Sequence, residues 1–199
     1  MKTNCRSPQF IQTPLYVVSG VVGALKQYFG TPDRLTTDYS SFLWSQDERQ
    51  TKVRVSQDYN SSSDSVGFYP SIFVSIPQIT FKQEVIQDLM AFNPLEGEVR
   101  NIEVNRGQLR LRCVADSSLA SIELATEVKY FISVFRQQIQ HDYCIDQLRQ
   151  SGISGPQRVD EYKEYWTTDV LCDILYQENW GVVIEHLKIK SINIVLEEK

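Results

Sequence analysis

Two short runs of alternating apolar and polar residues, joined by Arg106-Gly107, constrain the fold of this chain most strongly. The apolar members of the runs are Ile102, Val104, Leu109, Leu111 and Cys113. With a two-residue turn at Arg106-Gly107, Val104 would lie opposite Leu109, and the apolar residues of both runs would share one face. Gly107 can adopt the positive φ that such a turn needs. The pattern therefore predicts a β-hairpin.

The spacing of apolar residues changes directly after this hairpin. Asp116 or Ser117 can cap a helix start. The residues that then recur at intervals of three and four are Ala120, Leu124, Val128, Phe131, Phe135 and Ile139. Those off this stripe, which we expect in solvent, include Glu123, Glu127, Lys129, Arg136 and Gln137. The sequence therefore predicts one long amphipathic helix that ends near His141.

A second helix is predicted near the N-terminus. Thr13 can cap it, Pro14 suits its first position, and Gly30 with Pro32 marks its end. Gly20 and Gly23 lie inside this helix, where each lowers helix propensity by up to about 1 kcal/mol. Either they allow another backbone to approach closely, or they are simply tolerated.

The remaining pattern is that of β-strands and loops. Alternation predicts strands at 53–55, 69–76, 79–81, 163–177 and 187–196, with Pro77 at a strand end or edge. The last strand is expected to pair with the long strand before it. Loops are predicted at 151–156 and at a break around 179–181, where Gly and Pro or Asn cluster. Runs of strands with segregated helices indicate an α+β fold, with a mostly antiparallel sheet flanked by an N-terminal helix and one long central helix.

The length of 199 residues suits a single domain spanning 1–199. Within it, residues 1–12 read as a polar arm, and irregular insertions lie near 56–69, which includes a serine-rich tract, and near 82–97. Net charge is −5 with interspersed signs, which argues against sequence-specific nucleic-acid binding. No apolar run approaches the length that spans a bilayer, and the start lacks a secretory signal, so we expect no membrane partner and a cytosol-like compartment.

Chemical motifs are absent from the sequence. It contains no G-x-S-x-G, Walker or dinucleotide-binding glycine pattern. Asp169 and Asp173 would lie roughly 13 Å apart on a strand face, which is wide for joint catalysis. The four cysteines are scattered with no C-x-x-C pair, so neither a disulfide framework nor a zinc site is expected. The predicted protein is not an enzyme and has no catalytic residue, cofactor or metal.

The sequence instead favours an assembly surface. Aromatic residues in or beside loop-like segments often anchor interfaces, although they can also cover a core. An arginine cluster on the hairpin suits a subunit contact or a phosphate. The candidate interface residues are Trp44, Tyr59, Phe68, Phe92, Arg106, Arg110 and Trp180.

Several segments, taken in order, resemble neck or tail-completion proteins of tailed bacteriophages. Their sequences are Trp44-Ser45-Gln46-Asp47-Glu48-Arg49 before the strand Thr51-Lys52-Val53-Arg54-Val55, then Tyr69-Pro70-Ser71-Ile72-Phe73-Val74, and above all Gly107-Gln108-Leu109-Arg110-Leu111-Arg112-Cys113-Val114-Ala115-Asp116-Ser117 running into Glu123-Leu124-Ala125-Thr126-Glu127-Val128. Such proteins include tail terminators, which are similar in having a sheet flanked by helices.

The resemblance implies a structural virion protein that forms a ring, commonly a hexamer, which terminates the tail tube and joins it to the head connector. Its implied partners are other copies of itself, tail tube or sheath proteins and head connector proteins. Its implied location is the virion, and the host cytoplasm during assembly. The alternatives are a connector stopper or other tail or baseplate component and, from another class, a small metal-dependent phosphodiesterase that uses Asp169, Asp173 and His186.

Overall fold

A computed structural model describes residues 13–35, 42–47, 49–57, 70–81, 91–93, 98–159 and 162–183. Within these ranges, only the backbone is described at 81, 91–93, 98–103, 159, 162–164 and 179–183. The polar arm at 1–12, the strand predicted at 187–196 and most of the two insertions lie outside the described residues.

Two helices and a seven-stranded sheet make up the described fold. In chain order the elements are α1 (Pro14–Phe29), a short 3-10 helix (Pro32–Arg34), β1 (Arg54–Gln57), β2 (Ser71–Phe81), β3 (Ala91–Asn93), β4 (Glu98–Ala115), α2 (Ser118–Asp142), β5 (Ile145–Ile153), β6 (Gln157–Val159) and β7 (Tyr162–Val183). The predicted α+β class, with a mostly antiparallel sheet, is therefore confirmed.

The long strands β4 and β7 form the middle of the sheet. They pair antiparallel in unbroken register from Glu98 opposite Val183 to Ala115 opposite Trp166. The strand order is β1-β2-β4-β7-β5, while β3 pairs with β4 and β6 pairs with β7. Only β1 and β2 run parallel among these pairs.

Both predicted helices form, and their caps are those that the sequence suggests. The Thr13 hydroxyl accepts a hydrogen bond from the Tyr16 amide at 3.2 Å. The Ser117 hydroxyl accepts one from the Ala120 amide, also at 3.2 Å. None of the described helices is long and apolar enough to cross a membrane.

The predicted hairpin at Arg106-Gly107 is wrong. Residues 98–115 form one continuous strand, in which Arg106 lies opposite Thr80 on one side and Leu175 on the other. Gly107 is needed for space: a Cβ there would lie 3.2 Å from the Gln78 carbonyl oxygen and 3.3 Å from the Ile76 side chain. The neighbouring strands therefore keep β4 extended, since both of its edges are paired at this point.

Other predicted breaks are also parts of strands. The 151–156 loop is shorter than predicted because β5 continues to Ile153, and the break at 179–181 is absent because β7 pairs with β4 as far as Val183. Part of the 82–97 insertion forms β3. Pro77 does not end a strand but sits in the register shift between Ser75 and Gln78, where one strand continues past a bulge.

Both helices cover the same face of the sheet. The core face of the central strands carries Leu109, Leu111, Cys113, Val170, Cys172, Ile174 and Tyr176, all buried. Against it pack α1, over β1 and β2, and α2, over β4, β5 and β7. The result is a plate with a helical layer on one side and an open sheet face on the other.

Candidate functional site

A second apolar stripe runs along the outer face of α2, away from the core. It consists of Leu119, Ile122, Tyr130 and Val134, whose exposed fractions are 65%, 40%, 48% and 69%. Between them, the Thr126 hydroxyl donates to the Ile122 carbonyl oxygen at 2.8 Å, so this hydroxyl is satisfied within the helix. We call these five residues the α2 outer stripe; it extends over about 22 Å of the helix.

The α2 outer stripe was missed from the sequence, because one amphipathic stripe already accounted for the helix. Its members are spaced by three, four, four and four residues, which is the signal that could have revealed it. Contiguous exposed apolar surface of this kind is typical of protein interaction sites. One apolar side of α2 thus packs in the core, and the other is exposed at the surface.

The open face of the sheet carries a row of arginines rather than a hairpin tip. Arg106, Arg110 and Arg112 project from alternate positions of β4, and Arg106 is exposed. Arg112 lies opposite Asp169 of β7, and its Nε donates to the Asp169 carboxylate at 3.1 Å. On β5, the exposed Arg149 lies opposite Asp173. This face is charged, whereas the α2 outer stripe on the opposite side of the plate is apolar.

Trp44, a predicted interface residue, is partly buried against the core. Its amide donates to the Phe29 carbonyl oxygen at 3.0 Å, and the Lys26 ammonium lies 5.7 Å from the centre of its ring. Trp44 therefore covers the end of α1.

The other predicted aromatic interface residues have less described structure. Phe92 lies in β3 opposite Val99, and Trp180 lies in β7 opposite Asn101, with only their backbones described. Tyr59 and Phe68 lie outside the described residues. The described residues thus do not bring the aromatic candidates together. The surfaces proposed below for assembly consist of other residues.

A small groove of about 100 Å³ separates α1 from α2. Its floor includes Tyr28, Phe131 and Phe135, whose ring centroids are 5.1 to 5.7 Å apart. At its rim, the Arg34 guanidinium lies 5.8 Å from the centre of the Phe135 ring, and Asp142 lines the same groove. This volume would hold one small side chain. It is well below the volume of an ordinary ligand pocket.

Glu127 lies behind this groove and is fully buried, so its predicted solvent position is wrong. The Tyr28 hydroxyl donates to its carboxylate at 2.5 Å. Burial raises the pKa of Tyr28 well above the usual phenol value, and the bond to Glu127 raises it further. The periodicity of the sequence cannot reveal such a pair, because the hydrogen-bond donor lies on α1, 99 residues before Glu127.

The carboxylates of the phosphodiesterase alternative, Asp169 and Asp173, lie apart on β7, as their strand spacing predicts. Asp169 is paired with Arg112, and Asp173 is exposed on β7 two pleats further along the same face. His186, the third residue of the phosphodiesterase alternative, lies outside the described residues. Within the described ranges, no three His, Cys, Asp or Glu side chains come together in a way that could hold a metal ion.

The cysteines divide into two kinds. Cys113 and Cys172 are free and buried in the sheet, and burial raises the pKa of both thiols, which keeps them unreactive. Cys144, directly after α2, is disulfide-bonded, which overturns the expectation that the scattered cysteines form no disulfide.

Comparison with known proteins identifies no relative: no family model matches the chain, and no curated protein is significantly similar to it.

Proposed function

We propose that this chain is a structural protein of the bacteriophage neck, which forms a ring that terminates the tail tube and joins it to the head connector. The observation that supports this most is the α2 outer stripe, an exposed apolar surface on a helix whose other side fills the core. Such a surface is what a subunit needs in order to bury area against a neighbour.

A ring also requires that each subunit carry two different contact surfaces. In head-to-tail packing, one patch of a subunit meets a different patch of the next, and the assembly closes if the rotation allows. The plate offers two such surfaces on opposite sides, the apolar α2 outer stripe and the charged sheet face with Arg106, Arg110 and Arg149. By the phage resemblance the ring contains six copies of the chain. One face of this ring meets the tail tube or sheath proteins, and the opposite face meets the head connector proteins.

A connector stopper or another tail or baseplate component would use the same surfaces. Each alternative also assembles from several copies of the chain. The alternatives differ in which proteins bind to the assembly. The resemblance in sequence order favours the terminator, which is therefore the function proposed.

The test compares the mass of the purified wild-type protein with that of a double variant, Leu119→Glu with Val134→Glu. Both side chains are more than 60% exposed, so the substitutions leave the core intact. Burying two carboxylates in a subunit contact is costly, so we expect the ring to dissociate at protein concentrations at least about 10-fold higher than the wild type.

The matched control is Ser151→Glu, which adds a carboxylate at an exposed position of β5, away from the α2 outer stripe. Size-exclusion chromatography with light scattering gives the mass, and circular dichroism shows that each variant is folded. A wild-type protein that stays monomeric at every concentration contradicts the ring. An assembly that survives the double variant contradicts the assigned surface.

A further inference from the structure

The side chains around the groove between α1 and α2, here called the α1–α2 groove, are complementary to a guanidinium. Its aromatic floor consists of Tyr28, Phe131 and Phe135. Asp142 lines the groove with a side chain that is 48% exposed, and the Glu127 carboxylate lies behind the floor. At the rim, the Arg34 guanidinium lies 5.8 Å from the centre of the Phe135 ring, as in a cation–π contact. With two acidic groups against one arginine, this groove favours a second cation.

A suitable cation lies on the charged sheet face of the same chain. Arg106 is exposed, and its cross-strand neighbours, Thr80 and Leu175, are uncharged. Arg149 is also exposed but lies opposite the acidic Asp173. Arg106 is therefore better placed than Arg149 to pair with a carboxylate of another subunit.

Arg106 and the α1–α2 groove lie on opposite faces of the same part of the plate. Because α1 packs over β1 and β2, and α2 over β4, β5 and β7, the groove lies above the boundary between β2 and β4. Arg106, on β4, borders β2 through its pair with Thr80. Along the strands, Arg106 pairs with Leu175, and the next residue of β7 pairs with Ile145, which follows Asp142 by three residues. When the sheet face of one plate lies on the helical face of the next, Arg106 therefore faces the neighbour's groove.

We propose that Arg106 of one subunit places its guanidinium in the α1–α2 groove of the next subunit, over the aromatic floor and against the Asp142 carboxylate. This inference rests on the proposed function, because it assigns one residue pair within the head-to-tail contact of the ring. The groove, at about 100 Å³, has room for the planar end of an arginine side chain. The α2 outer stripe adjoins it, since Val134 directly precedes the groove residue Phe135. An arginine–carboxylate pair beside this apolar contact fixes how neighbouring subunits are oriented.

Exchanging the two charges tests this contact. Arg106→Asp and Asp142→Arg should each raise the protein concentration at which the assembly dissociates by at least about 10-fold, because each places two like charges together. The double variant that combines both substitutions restores an opposite pair and should dissociate within about 3-fold of the wild-type concentration. Size-exclusion chromatography with light scattering over a dilution series measures these concentrations, and circular dichroism shows that each variant is folded.

The matched control combines Asp142→Arg with Arg149→Asp. It leaves Arg106 facing an arginine, so it should not restore assembly. A charge exchange at Arg106 that fails to restore assembly, or a control that restores it equally well, overturns the proposed pair.

A further comparison separates this pair from the ring itself. If Leu119→Glu with Val134→Glu dissociates the assembly but Asp142→Arg leaves it unchanged, the residue pair is wrong and the proposed function stands. A wild-type protein that is monomeric at every concentration overturns the proposed function and the pair together.

Discussion

Two glycines three positions apart in α1 have different surroundings, and the difference fixes how α2 approaches. A Cβ at Gly20 would overlap the ring of Tyr143, whereas a Cβ at Gly23 would meet only the Tyr143 hydroxyl, at 4.0 Å. The sequence shows that glycines interrupt α1 but not which of them is required, because the ring that needs the space comes from the end of another helix. Gly20 therefore makes room for a side chain rather than for another backbone, whereas Gly23 is simply tolerated.

Gly20→Ala and Gly23→Ala should change stability in opposite directions. At Gly23 the new methyl fits, so the gain in helix propensity should raise the free energy of unfolding by up to about 1 kcal/mol. At Gly20 the clash with Tyr143 should outweigh that gain and lower it by about 1 to 3 kcal/mol. Urea denaturation measures both, and two variants of equal stability would contradict the packing of Tyr143 on α1.

The Tyr28–Glu127 pair predicts a pH dependence. The pKa of Tyr28 is higher in the folded protein than its ordinary value of 10.0, so the folded state keeps the proton more tightly than the unfolded chain does. The stability of the wild type should therefore fall as pH rises above about 10. Tyr28→Phe removes this contribution, so its stability should fall less steeply with pH.

At neutral pH the same variant loses a hydrogen bond to a buried carboxylate, which should cost about 1.5 to 3 kcal/mol. Tyr130→Phe is the control, since Tyr130 is about half exposed on the opposite side of α2. Urea denaturation at pH 7 and at steps above pH 10 gives both quantities. If the free energies of unfolding of the wild type and Tyr28→Phe fall equally steeply above pH 10, the folded protein does not raise the pKa of Tyr28.

At the scale of elements, periodicity located both helices and the core face of β7 but misread β4. In a continuous strand Val104 and Leu109, which are five positions apart, lie on opposite faces, so the shared apolar face that suggested a hairpin does not form. The core face continues instead through the buried Asn105, which lies opposite Tyr176. Arg106-Gly107 resembles a turn locally, yet Gly107 serves the close approach of Gln78 and Ile76. That reason lies in a neighbouring strand. Pro77 likewise does not end β2, because it falls in the register shift between Ser75 and Gln78.

Substitutions of glycines in strands test whether residues 98–115 form one continuous strand or a hairpin. Gly107→Ala should lower the free energy of unfolding by about 1 to 3 kcal/mol, because its methyl would crowd β2. Gly152→Ala in β5 has no atom within 4 Å of the new Cβ and should be neutral or slightly stabilising. Thermal and urea unfolding would measure both, and a tolerated Gly107→Val would contradict the continuous strand.

At the scale of the whole molecule, the α+β class followed from the order of helical and alternating segments. The strand order did not, because β4 and β7 pair although the 46 residues 116–161, which include all of α2, lie between them. Aromatic residues in loops stand out in the sequence, whereas the proposed assembly surface lies on α2, where the core stripe alone already accounts for the helical pattern. Surface function is read less easily from sequence than burial, since exposed apolar residues have no required period of their own.

The core residues of both helices and the sheet form one cluster, so we expect one cooperative unfolding transition. Tryptophan fluorescence reports on Trp44 beside α1 and on Trp166 and Trp180 in β7, while circular dichroism reports on the helices. The urea curves from the two probes should coincide. Separate midpoints would divide the chain into independent units and contradict the single domain expected from its length.

The ladder between β4 and β7 has a consequence for synthesis of the chain. Its last pair joins Glu98 to Val183, so the sheet cannot close until the ribosome has made the chain as far as Val183. Until then the apolar sides of α1, α2 and β4 lack their final covering, and pairing over such sequence distances is slow. A nascent chain of this design is most prone to aggregate in the interval before β7 has emerged from the ribosome, which is therefore the period when a chaperone would matter most.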